Sequence, residues 1–125
     1  MDNQKILLIE DDEFVRESIS DLLMISGYSI DTADNGREGL EKIMDITPAL
    51  VICDVMMPEM DGFQLLEELN NNGMAERLYF MFLSAKSRES DVQKGLEMGA
   101  DDYFIKPFRN SDLLAKVEEV LSSEG

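Results

Sequence analysis

The chain has 125 residues, 44% hydrophobic and 30% charged, which suits one globular domain with a core of its own. Its 27 acidic residues stand against 11 basic ones, and the net charge of −16 repels nucleic acid phosphates, so this domain is not expected to grip DNA by itself. Histidine is absent, which removes a histidine phosphocarrier, a Ser-His-Asp triad and most zinc sites.

In chain order, Lys5 to Ile9 is a short apolar run suited to a buried strand, and it stops abruptly at Glu10-Asp11-Asp12-Glu13. Asp12 is the expected N-cap of a first helix, in which Phe14, Val15, Ser18, Ile19, Leu22 and Leu23 recur at helical spacing until Gly27. Tyr28 to Ala33 reads as a second strand. Asn35 and Glu38 have the spacing of a capping box ahead of a helix carrying Leu40, Ile43 and Met44. Pro48 breaks the chain before a third strand, Val51-Ile52-Cys53, which runs into Asp54.

Asp61 and Gln64 form a second capping-box pair and open a helix with Phe63, Leu66 and Leu69, closed by Asn70-Asn71-Asn72-Gly73. Leu78 to Leu83 is the fourth strand, followed by Ser84. A helix from about Glu89 to Met98 ends at Gly99, and Asp102 to Ile105 is a short fifth strand before Lys106-Pro107. The last helix runs from about Ser111 to Leu121, with Leu113, Leu114, Val117, Val120 and Leu121 inward. Five strand–helix pairs with short connections predict an α/β, doubly wound parallel sheet with helices on both faces. Residues 1–125 read as one domain, with no effector domain after Leu121.

No apolar run approaches the ~20 residues of a membrane span. The start, Met1-Asp2-Asn3-Gln4-Lys5, lacks a signal-peptide pattern, and the single cysteine, Cys53, cannot form an intrachain disulfide. A cytoplasmic location without membrane contact is the expectation. Beside Asp54, Cys53 reads as core filler.

Ligands of parallel α/β sheets sit beyond the carboxyl ends of the strands. Sorted by that rule, strand one delivers Glu10 and Asp11, strand three Asp54, strand four Ser84 and strand five Lys106. Three carboxylates drawn together repel one another until one protonates or a cation neutralises them. An all-oxygen donor set without His or Cys suits a hard cation such as Mg²⁺, with Mn²⁺ as a substitute. A carboxylate nucleophile, a metal, an ammonium and a hydroxyl together describe phosphoryl transfer onto Asp54, giving an aspartyl phosphate.

At these residues the sequence resembles the receiver domain of two-component response regulators. The resemblance rests on ILLIEDDE (6–13), VICDVMMPEMDG (51–62), FLSAK (82–86) and GADDYFIKPF (99–108), and it covers essentially the whole chain. It implies a flavodoxin-like (βα)5 sandwich with strand order 2-1-3-4-5. Asp54 is then the phosphoacceptor, Asp11 a direct Mg²⁺ ligand, Glu10 a support through water, and the Met56 backbone carbonyl a further ligand. Ser84 and Tyr103 become the switch pair, with Tyr103 turning inward as Ser84 moves toward the phosphate. Lys106 contacts the phosphoryl group, and Lys106-Pro107 is expected to be cis.

The implied function is signal transduction through a phosphorelay. A sensor histidine kinase or histidine phosphotransfer protein donates the phosphoryl group, and a protein of unknown identity lies downstream, with no turnover of outside substrates. A phosphorylation-dependent dimer is also implied, for which Asp102 and Lys116 could supply a charge pair; Val92 stands where relatives usually carry a basic residue.

Three other readings compete. Haloacid-dehalogenase-type enzymes also phosphorylate an aspartate, but they use a second Asp where this chain has Met56. A flavodoxin-like FMN module would find Glu10-Asp11-Asp12-Glu13 repelling its phosphate. A degenerate receiver, acting as a phosphorylation-independent interaction module, would not need the intact acids, Ser84 and Lys106.

Overall fold

Side chains alternate across a strand, so a strand covered on both faces must be apolar at nearly every position. β1 (Lys5–Ile9), β3 (Leu50–Cys53) and β4 (Tyr79–Ser84) meet that requirement: Ile6 to Ile9, Leu50 to Cys53 and Phe80 to Leu83 are all buried. In the computed structural model, which describes residues 4–124, these three form the centre of a five-stranded parallel sheet. β2 (Ser29–Ala33) and β5 (Asp102–Ile105) are its edges, and the order is β2-β1-β3-β4-β5, as expected. Residues 1–3, part of the signal-peptide argument, and residue 125 lie outside the described residues.

The alternation divides the core in two. Ile6, Leu8, Leu50, Ile52, Met81 and Leu83 point to one face, where Ile19 and Leu23 of α1 (Glu13–Ile25) and Leu113, Val117, Val120 and Leu121 of α5 (Asn110–Glu124) cover them. Leu7, Ile9, Val51, Cys53, Phe80 and Phe82 point to the other face. There they meet Ile43 of α2 (Gly36–Ile46) and Phe63, Leu65, Leu66 and Leu69 of α3 (Gly62–Asn71), while Val92 of α4 (Glu89–Glu97) packs at the margin. A 3-10 turn at Met74–Arg77, not foreseen from the sequence, joins α3 to β4 and buries Met74.

Several local expectations change. Phe14 is 79% exposed: the face of α1 turned to the sheet is Val15, Ile19, Leu22 and Leu23, and Phe14 lies beside it on the exposed stripe it shares with Ser18. Met44 of α2 is also exposed. The Asn35–Glu38 box is half formed: Asn35 Oδ1 accepts from Glu38 N–H, but the Glu38 carboxylate accepts from Asp34 N–H, one residue earlier than the box requires. The Asp61–Gln64 box is complete. Asp102 and Lys116 pair with each other within the chain at 3.1 Å, so each already holds the charge that the dimer reading had reserved for a second copy.

Candidate functional site

The order reverses between β1 and β3, which opens a crevice at the carboxyl ends of these two neighbouring strands. Backbone hydrogen bonds carry the sheet one residue further on each side of it. Glu10 N–H donates to Ala33 O and Asp54 N–H to Ile9 O, each at 3.0 Å, so both side chains are fixed at the end of the sheet. Lys106 N–H donates to Ser84 O at 2.9 Å, which ties the end of β5 to the end of β4. Lys106-Pro107 is cis, as expected.

The crevice brings the predicted acids together. Carboxylate oxygens of Glu10, Asp11 and Asp54 all lie within 4.8 Å of one another, with Glu10 and Asp54 buried and Asp11 exposed. Oxygen donors at this spacing can hold a divalent cation, and the exposed Asp11 leaves it a route from solvent. Asp12 is not part of this group: it accepts the Val15 N–H as the cap of α1. Met56 is at the same end of the sheet, where its N–H donates to Asp54 Oδ1 at 3.2 Å.

Lys106 balances the two buried acids. Its Nζ stands 2.9 Å from Glu10 Oε1 and 3.2 Å from Asp54 Oδ2. Burial would lower the lysine pKa, but the hydrogen bond it donates to Glu10 and the charges of Asp54 and Glu10 outweigh it, and the pKa is raised. For Glu10, burial acts in the direction that favours protonation; Lys106 opposes it, Asp54 adds to it, and the pKa rises to about 7. Burial pushes the Cys53 thiol well above its usual range, which fits an inert core residue.

Ser84 is fully buried and its Oγ accepts from Lys86 N–H at 3.1 Å. The Tyr103 ring is turned inward against Phe82, with centroids 5.7 Å apart, and its hydroxyl donates to Lys86 O at 2.8 Å. Ser84 and Tyr103 therefore meet at one residue, Lys86, whose N–H serves the first and whose carbonyl serves the second. The inward position expected of Tyr103 after a switch is the one this structure holds.

Two contributors escaped the sequence reading. The Arg16 guanidinium donates to Glu10 O at 2.8 Å and reaches Asp11 O at 3.5 Å, holding the backbone of the acid pair. A lone basic residue within Glu10-Asp11-Asp12-Glu13…Glu17 was the available signal. Gly62 is a close-approach residue at the start of α3. A Cβ there would lie 2.5 Å from Asp54 O and 2.9 Å from Val55 Cα.

Comparisons with known proteins agree with this geometry. A family model described as the response regulator receiver domain matches residues 6–118. The chain is 40% identical over 117 residues to the response regulator MprA of Mycolicibacterium vanbaalenii, covering 94% of this chain and 50% of that protein. It is 41% identical over 118 residues to the transcriptional regulatory protein PcoR of Escherichia coli, covering 94% and 51%. The chain thus spans about half the length of these curated relatives. Among solved structures, the receiver domain of the Francisella response regulator 1452 is similar over 98% of this chain and 100% of that one, with a TM-score of 0.92 and 28% identity. With the flavodoxin-like sheet order, the acidic crevice and the match over residues 6–118 in agreement, the chain belongs to the receiver domain family of two-component response regulators.

Proposed function

We propose that the domain is a phosphorylation-controlled switch in which Asp54 accepts a phosphoryl group from a sensor histidine kinase or a histidine phosphotransfer protein. The observation that carries this reading is the convergence of Glu10, Asp11 and Asp54 within 4.8 Å, with Lys106 bridging two of them. The Asp54 carboxylate attacks phosphorus, the phosphorus–nitrogen bond of the donor breaks, and its electron pair returns to the imidazole. Asp54 and Asp11 would hold Mg²⁺, or Mn²⁺ in its place, with the Met56 carbonyl as a further ligand and Glu10 supporting through water. When bound, the cation neutralises charge on the transferring phosphoryl oxygens.

The chain's own residues do the rest. Lys106 already lies against Asp54 Oδ2, so its ammonium can pass to an oxygen of the new phosphate. Ser84 accepts from Lys86 N–H, and its hydroxyl, beside that of Tyr103 here, would turn to donate to a phosphoryl oxygen. Because Tyr103 hangs on the same residue, a shift of Ser84 disturbs the Tyr103–Lys86 bond and biases the β4–α4 segment between two arrangements. No turnover of outside substrates follows from this arrangement.

Residues 1–125 act as a single domain in this reading, located in the cytoplasm, where a kinase would meet it. Among the described residues no helix is long and apolar enough to cross a membrane. The net charge of −16 supports an output through protein contact, with a downstream protein or a second copy, and not through direct nucleic acid binding.

Intact-mass measurement after incubation with phosphoramidate and Mg²⁺ tests the reading. One phosphoryl adduct is expected on the unsubstituted chain and none on Asp54→Asn, with circular dichroism unchanged. An undiminished adduct on Asp54→Asn removes Asp54 from the role. No adduct on either chain leaves a phosphorylation-independent interaction module.

A further inference from the structure

We propose that Asn72-Gly73 is a self-modification site, where the chain converts its own asparagine to isoaspartate and aspartate and so loosens the junction of α3 with α4. Three dipeptides place glycine directly after an Asn or Asp side chain: Asn35-Gly36, Asp61-Gly62 and Asn72-Gly73. Glycine has no Cβ to shield its backbone nitrogen. That nitrogen can therefore reach the carbonyl carbon of the preceding side chain and close a five-membered ring.

The fold closes that route at two of the three. Asn35 and Asp61 cap α2 and α3, and the glycine after each is the buried first residue of its helix. A Cβ would run into Met60 O at Gly36 and into Asp54 O at Gly62, so neither peptide has room to swing. Gly62 N–H is also committed to Val55 O at 2.8 Å. At the other end of α3, Asn72 and Gly73 are both exposed, and a Cβ on Gly73 would meet nothing within 4 Å. Gly73 N–H has only a long bond, 3.4 Å, to Asn70 O. The Asn72 Nδ2 donates to the Met44 thioether at 3.6 Å, a weak acceptor, whereas Asn35 Nδ2 donates to the Asp34 carboxylate at 2.8 Å. Ring closure requires Asn72 to rotate from its ψ of 5°, and the open space around Gly73 permits that turn.

Gly73 N bonds to Asn72 Cγ and gives its proton to hydroxide or water. The Cγ–Nδ2 bond breaks, and the nitrogen leaves as ammonia with a proton returned by water. Water then opens the succinimide at either carbonyl. One opening leaves an aspartate side chain on a normal backbone; the other routes the backbone through the side chain and adds a methylene to it. Either product sets a negative charge at the carboxyl end of α3, where the helix dipole opposes it. Asn72 Oδ1 also accepts from the N–H of the buried Met74 at 2.9 Å, a bond that orders the turn after α3. The last turn of α3 carries Asn70, whose Nδ2 donates at 2.7 Å to the carbonyl of Met98, the C-cap of α4. As that turn opens, its tie to α4 slackens.

The test ages the full chain in mildly alkaline buffer, where hydroxide speeds ring closure, and maps the gain of one mass unit by peptide. Asn72 should convert at least ~tenfold faster than Asn35, because Asn35 reacts only when its cap opens. In urea, where both dipeptides are free, the two rates should converge. The modified chain, separated by its added charge, should exchange amide hydrogens faster at residues 72–74 and 98–100. Asn72→Gln, aged alongside, should show neither the mass gain at residue 72 nor the faster exchange.

Equal rates at Asn35 and Asn72 in the folded chain, or an Asn72 that reacts only in urea, overturns the site. Unchanged exchange at residues 98–100 in the modified chain, or the same change in aged Asn72→Gln, overturns the loosening of α3 from α4.

Discussion

Lys106 Nζ lies 2.9 Å from Glu10 Oε1, joining the end of the last strand to the end of the first across the crevice, and it keeps a second contact of 3.2 Å to Asp54. One ammonium therefore offsets two buried carboxylates. Replacing it by a neutral side chain of similar length, Lys106→Met, leaves the acids facing each other. The cost should stay below the ~3–5 kcal/mol of breaking a fully buried pair, because the Lys106 side chain is 20% exposed. It should also depend on pH: near about pH 5 Glu10 is largely protonated and needs no countercharge, whereas near about pH 8 it is ionised. Urea melts at the two pH values check this, and an equal loss at both would separate the lysine from Glu10. The same variant should accept phosphate at Asp54 poorly.

The raised Glu10 pKa has a sign that can be worked out. The folded value of about 7 lies above the ordinary 4.5, so the folded state holds the proton more tightly than the unfolded chain. That contribution to stability is complete below about pH 4.5 and is lost as pH rises through about 7. Divalent cation binding runs the other way, because it favours the ionised carboxylate. Mg²⁺ affinity should therefore rise from about pH 6 to about pH 8, by up to ~tenfold per unit below the Glu10 pKa. Titrations followed by calorimetry check the slope, which should flatten in Glu10→Gln. A pH-independent affinity in the unsubstituted chain would contradict the linkage.

Gly62 carries a steric prediction. Its N–H donates to Val55 O at 2.8 Å, and a methyl group there would meet Asp54 O at 2.5 Å. Gly62→Ala must move the loop after β3, the start of α3, or both. Overpacking of this kind costs about 1–3 kcal/mol. The displaced backbone is that of Asp54, so the melting temperature and the rate of adduct formation should fall together. A lower melting temperature with an unchanged rate would show that α3 yields while Asp54 stays in place.

The sheet was legible because buried parallel strands must be apolar throughout, and Ile6–Ile9, Leu50–Cys53 and Phe80–Leu83 satisfy that without help from other elements. Glu10 and Asp54 were legible for the same reason, as each stands just past such a run, whereas Lys106 follows the partly exposed edge strand β5. Phe14 was misread because it lies one position off the buried stripe of Val15, Ile19, Leu22 and Leu23, on a line with the exposed Ser18. Glu38 was misread because the capping spacing tolerates an acceptor shifted by one residue, and its carboxylate takes Asp34 N–H. The roles of Arg16 and Lys86 were hidden for another reason. Both act on or through backbone groups, which every residue carries and no residue type announces.

Lys86 is where the last prediction lies. The Tyr103 hydroxyl donates to Lys86 O and lies beside the Ser84 hydroxyl, while its ring is independently packed on Phe82. Tyr103→Phe removes the first and keeps the second. The loss of one such bond costs about 0.5–1.5 kcal/mol, and the ring contact limits any wider collapse. Asp54 and the acid pair are untouched by the change, so adduct formation should keep its rate. The β4–α4 segment, residues 85–88, should exchange its amide hydrogens faster, because one of its tethers to β5 has gone. Hydrogen–deuterium exchange with and without the phosphoryl group reads this directly. The unsubstituted chain should differ between the two states at residues 85–88, and the variant should differ less. If phosphorylation still protects or exposes that segment to the same extent in Tyr103→Phe, the Tyr103–Lys86 bond is not the link between Asp54 and the β4–α4 surface, and Ser84 must act on the segment through the Lys86 N–H alone.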